Sequence, residues 1–342
     1  MTEKALSKAQ IYMEAGKKGA EWLCSRQEKD GSIGKPFGAA GMYKTVWALV
    51  STGHIVEAGR LLDWAKKNIM TEPGEFHFKN ENDFDKTQFL YRNCFILMGA
   101  YKMGRFDICS EKAIEQVLRH QDESGGFYAY LGDKKEKNPI NLLFTVVGGW
   151  TSLYFGKIDE AIKTGDFIID KVLEPQPEFD KRYYVNWDPK TGKLVTEFLP
   201  EDEIANCINA EKPIGPFYYS GAVAGFLTEL FERTGEKRFL EGAKKSISFS
   251  YNTIPESYHW PSKCKEGWGA AILYRQTKDP KHREIAEKVG DITFMEAQLE
   301  DGSFRDFLYP LKEDGSGVIL SSIEITSEFS FELTEIARGL TE

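Results

Sequence analysis

Gln121-Asp122-Glu123-Ser124-Gly125-Gly126-Phe127 is the stretch whose reading decides the fold. A glutamine and an aromatic bracket an acidic, glycine-bearing turn, and the glycines stop the helix that leads into it. The same order recurs in Gln27-Glu28-Lys29-Asp30-Gly31-Ser32 and in Gln298-Leu299-Glu300-Asp301-Gly302-Ser303-Phe304. A segment repeated at the same place between helical stretches marks repeat architecture.

Outward from these loops, apolar residues fall at helical spacing over about 7–27, 40–51, 55–70, 83–102, 105–120 and 139–154. The pattern continues over 158–173, 215–233, 239–250, 268–276, 282–298 and 323–339, which makes twelve helices in six pairs. Long connections alternate with short turns at Gly53, Gly104, Gly156, Gly235 and Lys278-Asp279-Pro280. The first three of these glycines stand 51 and 52 residues apart, whereas Gly156 and Gly235 stand 79 apart. The excess sits in an insertion at about 174–214. There, two β-prone runs flank Asp188-Pro189-Lys190-Thr191-Gly192 and predict a hairpin over the mouth. Each pair must bury its apolar face on its neighbours. Strict alternation of connections puts every long loop at one end, so the expected fold is all-α, a closed (α/α)6 barrel spanning residues 1–342.

Helices that follow long loops are rich in aromatics and glycine (Tyr43, Trp47; Gly148, Gly149, Trp150; Tyr218, Tyr219, Gly221; Gly267, Trp268), and their partners are rich in lysine and glutamate. Charged helices belong outside and glycine-rich ones where helices crowd. The inner helices therefore aim their N-termini at the face with the long loops, which favours acidic side chains or anionic groups there.

The repeated loops resemble the glutamine-to-aromatic motifs of squalene/hopene-cyclase-like and prenyltransferase-like α/α toroids, with Ile33, Phe127 and Phe304 where the family has tryptophan. In that family the motifs tie helices together and are not catalytic. The cyclase acid motif, DxDD, is matched in part by Asp83-Phe84-Asp85-Lys86, whose last acid is replaced by lysine. The resemblance implies acid–base chemistry without a metal or other cofactor on a hydrophobic alkene- or alcohol-bearing molecule, by a cyclase, isomerase or dehydratase. Sugar epimerases and glycoside-processing enzymes share such toroids and use histidine or carboxylate pairs, so a carbohydrate-active epimerase, hydrolase or lyase is the alternative. A non-catalytic binding scaffold is the third reading.

Candidate catalytic groups are polar residues on long loops or first turns of inner helices: Asp83, Asp85, His77, His259 and Tyr43. A carboxyl in an aromatic pocket favours its neutral form, as a general acid requires. Arg92 shares a helix face with Asp85 and could keep it ionised. Substrate contacts are expected from Arg92, Trp150, Trp187, Tyr218, Tyr219, Trp260, Cys264, Glu266, Trp268, Asp306, Glu324 and Glu328, with the rings facing a cation or stacking on a sugar. Glu324 and Glu328, one turn apart, form a carboxylate pair.

A net charge of −9 without a basic run argues against nucleic acid and anionic membranes as partners, leaving a small-molecule substrate and room for a homo-oligomer. The sequence lacks an apolar run long enough to span a bilayer, and its start is polar. Five scattered cysteines fit reduced thiols in a cytoplasmic protein rather than a disulfide frame.

Overall fold

A computed structural model describes residues 6–34, 41–77, 87–129, 139–305 and 316–341. Among them are twelve α-helices longer than one turn. Six are amphipathic and bury one face: α1 (Lys8–Ser25), α3 (Ile55–Asn68), α5 (Glu111–Leu118), α7 (Ile158–Asp166), α9 (Lys237–Ser248) and α11 (Pro280–Lys288). In α3, for example, Ala58, Leu61, Leu62 and Ala65 are buried, while Glu57, Lys66 and Lys67 face out. The others are α2 (Thr45–Ser51), α4 (Phe89–Lys102), α6 (Leu142–Tyr154), α8 (Tyr218–Thr234), α10 (Cys264–Thr277) and α12 (Ser316–Thr341). In α4 the whole run Leu90–Ala100 is buried, as expected of a helix walled in on every side.

The inner helices pack in sequence, α2 on α4, α4 on α6, α6 on α8, α8 on α10 and α10 on α12, and α12 returns to α2, so the ring closes. The closest approach is between α8 and α10. A Cβ on Gly221 would lie 2.0 Å from the Lys265 carbonyl oxygen, and one on Gly269 would lie 1.9 Å from that of Gly221. The two backbones touch, which only glycine permits.

The repeated loops stitch the outer ring. Gln121 Nε2 donates to the Glu160 carbonyl of α7 at 2.9 Å, Gln27 Nε2 to Glu57 of α3 at 2.9 Å, and Gln298 Nε2 to Ala15 of α1 at 2.8 Å. The last of these joins the end of the outer series to its beginning. Two of these loops also dock inward, with the Phe127 N–H donating to Thr145 Oγ1 and the Phe304 N–H to Thr326 Oγ1, both at 3.0 Å. A fourth copy, Met70–Phe76, has the same Gly74 in left-handed conformation and the Phe76 N–H on Asn93 Oδ1 at 2.7 Å. It escapes a sequence search because methionine replaces its glutamine.

The insertion contributes two small sheets. Strands β3 (Asn186–Asp188) and β4 (Lys193–Leu194) form the expected hairpin around Gly192, and β3 also pairs with β1 (Ile140–Asn141) at the start of α6. Strand β2 (Arg182–Tyr184) pairs antiparallel with β5 (Cys207–Asn209). Several helix starts differ from expectation: α2 begins at Thr45 rather than near residue 40 and α5 at Glu111 rather than near 105, whereas α10 begins at Cys264 rather than at Trp268, and α12 at Ser316 rather than at Ile323. Gly267 hides the first α10 turn from a periodicity reading, and it is needed there because a Cβ would meet Val289 at 2.6 Å.

Candidate active site at the mouth of the ring

An aromatic plug fills the middle of the ring. Trp150 and Trp268 stack at 4.6 Å and 11°, Trp47 meets Trp268 edge-on at 5.5 Å, and Phe331 stacks on Trp47 at 4.8 Å. All are buried. One turn nearer the inner-helix N-termini, ionic groups replace the rings.

Helix α12 supplies Glu324, Glu328 and Glu332 at spacings of four, hence as one stripe. Their side chains are 31%, 8% and 0% exposed, so the stripe descends from the mouth into the protein. Lys44, which precedes α2, places its Nζ 2.7 Å from Glu328 Oε2 and 3.8 Å from Glu324 Oε1. Lys265, in the first turn of α10, bonds Glu328 Oε1 and lies 3.3 Å from Glu332 Oε1. The Tyr43 hydroxyl donates to Glu324. The Lys44 ammonium is also enclosed by rings, 4.8 Å from the centre of Tyr43 and 5.4 Å from that of Tyr91.

These contacts decide the charges. Burial alone would raise the Glu328 carboxyl, but Lys265 and Lys44 outweigh it and hold it below its ordinary range. Burial would likewise strip protons from Lys44 and Lys265. Glu328 outweighs it at Lys44, and Cys264 with the two glutamates outweighs it at Lys265, so both lysines stay above their usual value. Glu332 goes the other way, because burial raises it and the neighbouring Glu328 adds to the rise, against the opposing pull of Lys265 and Lys44. The Tyr43 and Cys264 groups are raised by burial and by adjacent carboxylates.

A hydrogen-bonded wall connects this floor to the insertion. Tyr218, 6.0 Å from Lys265 Nζ, packs on Tyr219 at 4.6 Å between ring centres. Asn141, the N-cap of α6, donates from Nδ2 to the Tyr219 hydroxyl at 2.9 Å and to Asn186 Oδ1 at 2.7 Å. Asn186 in turn donates to Asn206 Oδ1 at 2.8 Å.

Of the residues singled out from the sequence, Tyr43, Cys264, Glu324 and Glu328 meet at this floor. Tyr218 and Tyr219 stand in its wall, and the Arg92 guanidinium lies 6.0 Å over the Tyr43 ring. Asp83, Asp85 and Asp306 lie outside the described residues. His77 and His259 stand apart on the surface, each 3.1 Å from a glutamate, Glu75 and Glu296. Trp150 and Trp268 belong to the plug, where each covers the other's face. Trp187 sits edge-on to Phe167 at 5.4 Å, and Trp260 is half-buried. Glu266 is fully buried but bonds Lys263 at 2.8 Å and Ser220 at 3.2 Å, on the α8 side of its helix. Lys44, Tyr91, Lys265 and Glu332 are additions from the structure. The signal in the sequence was a third acid, Glu332, extending the stripe at the same four-residue spacing along α12. Cys264 Sγ and oxygens of Glu328 and Glu332 lie within 4.8 Å of one another, and the Lys265 ammonium is the cation beside them.

No protein-family model matches the chain, and neither does any curated protein. Solved structures do. A D-mannose isomerase superposes with a TM-score of 0.69 at 11% identity, covering 98% of this chain and 100% of that one. A sugar epimerase from a ruminal bacterium gives 0.65 at 12% identity, covering 96% and 99%. An α-1,6-mannanase of glycoside hydrolase family 76 from Salegentibacter sp. HEL1_6 gives 0.63 at 14%, covering 97% and 100%. The chain has the α/α-toroid fold. At these identities the likeness extends to the fold alone.

Proposed function

We propose that this toroid is a carbohydrate-active enzyme that works by acid–base chemistry, interconverting sugars by proton transfer next to a carbonyl. The carrying observation is the mouth-side floor of Glu324, Glu328, Lys44, Lys265, Tyr43 and Tyr218, which offers hydrogen bonds and charge to a hydroxyl-rich substrate. A terpenoid-type substrate calls for an apolar, ring-lined pocket. Here Trp47, Trp150 and Trp268 are spent on one another in the plug, which favours the sugar reading. The similar structures named as a mannose isomerase, a sugar epimerase and a mannanase support the same reading.

In this reading Glu324 is the base, since it is the most accessible carboxylate of the stripe and has the Tyr43 hydroxyl on it. Tyr43 and Tyr218 orient hydroxyls, and the lysines hold the carbonyl oxygen as charge builds on it. None of the five histidines lies at the floor, so this chemistry falls to glutamate, tyrosine and lysine. His54, His120 and His282 bond at turns, to Thr52, the Tyr128 carbonyl and Thr277.

Incubation with D-mannose, D-glucose and D-fructose in D2O, followed by NMR, tests the proposal. Isomerisation with deuterium entering at C1 of the ketose or C2 of the aldose, lost in Glu324→Gln, is the expected result. No exchange or conversion of any sugar, together with consumption of an alkene-bearing alcohol, would return the assignment to the terpenoid class.

A further inference from the structure

Below the Glu328 carboxylate lies a group that the proposed chemistry does not use. Glu332 is fully buried, and neither of its oxygens has a hydrogen-bond partner of ordinary geometry. The Lys265 ammonium that would balance it is shared, and it sits closer to Glu328. The groups facing Glu332 are Lys265 and Cys264 from α10, Lys44 from the segment before α2, and Glu328 from its own helix. A buried carboxylate whose near donors are a shared ammonium and a weakly donating thiol is costly, because they replace little of the water it has lost. A neutral carboxylic acid in the same place is far cheaper. Glu328, with an ammonium on each oxygen, has no such reason to take up a proton.

We infer that Glu332 is held as the neutral acid, so that Lys44 and Lys265 face the single carboxylate of Glu328 and the floor keeps one surplus positive charge for an anionic oxygen of the substrate. Glu324, 3.8 Å from Lys44, offsets this surplus only until it takes the proton from the substrate; once it is neutral the surplus faces the new anion. The anion class follows from the proposed reaction, on which this part rests. Removing a proton next to a carbonyl moves an electron pair onto the carbonyl oxygen and gives an enediolate. A surplus ammonium beside that oxygen stabilises it more than it stabilises the neutral sugar. Glu332 touches no substrate and acts through Lys265, as a positioning residue that sets the charge.

Two measurements on the full chain test this. Infrared difference spectra near neutral pH should show the C=O stretch of a protonated carboxyl, absent from Glu332→Gln; a spectrum without that band, or one unchanged in the variant, overturns the inference. Calorimetry should then compare a five-carbon aldonohydroxamate, which mimics an enediolate, with the polyol of equal length. Tighter binding of the hydroxamate, kept in Glu332→Gln and weakened about tenfold or more in Lys265→Met, is expected. Equal affinities for hydroxamate and polyol overturn the surplus charge. If neither compound binds, the sugar reading fails, and the infrared band still decides whether Glu332 carries the proton.

Discussion

Replacing Glu328 by glutamine keeps the shape of the side chain and removes the charge that both buried ammonium groups share. Lys44 and Lys265 are 3% and 5% exposed, so neither can turn to water without moving a helix. Removing one partner of a buried ion pair costs about 3–5 kcal/mol. The low end applies here, because the amide oxygen still accepts one hydrogen bond and Glu332 can ionise toward Lys265. With roughly 2.1 cal/mol/K of unfolding entropy per residue over 342 residues, about 3 kcal/mol lowers the melting temperature by about 4 °C.

The pH dependence carries the sign. In the native protein both lysines are raised, so their contribution is complete below the unfolded lysine value and fades as pH climbs through the folded ones. Glu328 is depressed, so its contribution is complete above the unfolded glutamate value and fades as pH falls toward the folded one. In Glu328→Gln the ammonium groups lose their partner and burial lowers them, so the variant regains stability as pH rises. The difference in melting temperature is therefore widest near neutrality and narrows toward pH ~10 and below pH ~4. Replacing Lys44, Glu328 and Lys265 together by methionine should restore most of the loss. Thermal unfolding followed by circular dichroism across pH measures all of this. An Glu328→Gln protein that melts with the native one at every pH would refute the ionic floor.

Three further outcomes are expected. Gly221→Ala gains about 1 kcal/mol of helix propensity but drives a methyl into the Lys265 carbonyl of α10, for a net loss of roughly 2 kcal/mol or more in chemical denaturation. Gln121→Leu removes the bonds to Glu160 and Thr164 that tie the loop to α7; it should cost about 1–2 kcal/mol and speed proteolytic cleavage within 122–127. His259→Ala, at an exposed pair with Glu296, should change stability by less than about 0.5 kcal/mol and leave sugar turnover unaltered. A large loss of turnover would bring His259 back as a catalytic group.

The fold was legible because its punctuation is chemical. Gly53, Gly104, Gly156 and Gly235 all adopt the left-handed conformation that ends a helix in a tight turn, and the glutamine loops recur around the ring. Where a residue breaks the rule, the geometry persists: Lys278 takes the left-handed conformation at the fifth short turn, and Met70 stands in for glutamine in the fourth loop. The site was legible only in part. Tyr43, Cys264, Glu324 and Glu328 were within reach because aromatics, thiols and acids at inner-helix starts attract notice. Lys44 and Lys265 were not, since a lysine beside a helix start usually reads as a solvated charge. Their burial depends on α2, α10 and α12 converging across 63 to 284 positions of sequence, which no local pattern reports.

The order of the helices has a consequence for synthesis. The helix that bears the three glutamates emerges from the ribosome after the five other inner helices, and it alone closes the ring between α10 and α2. Until it arrives, Lys44 and Lys265 have no carboxylate stripe to face, and the plug lacks Phe331 on Trp47. A nascent chain that lacks α12 therefore presents an open arc with a charged, apolar seam. Synthesis of α12, rather than the first helix pairs, times the assembly of the floor.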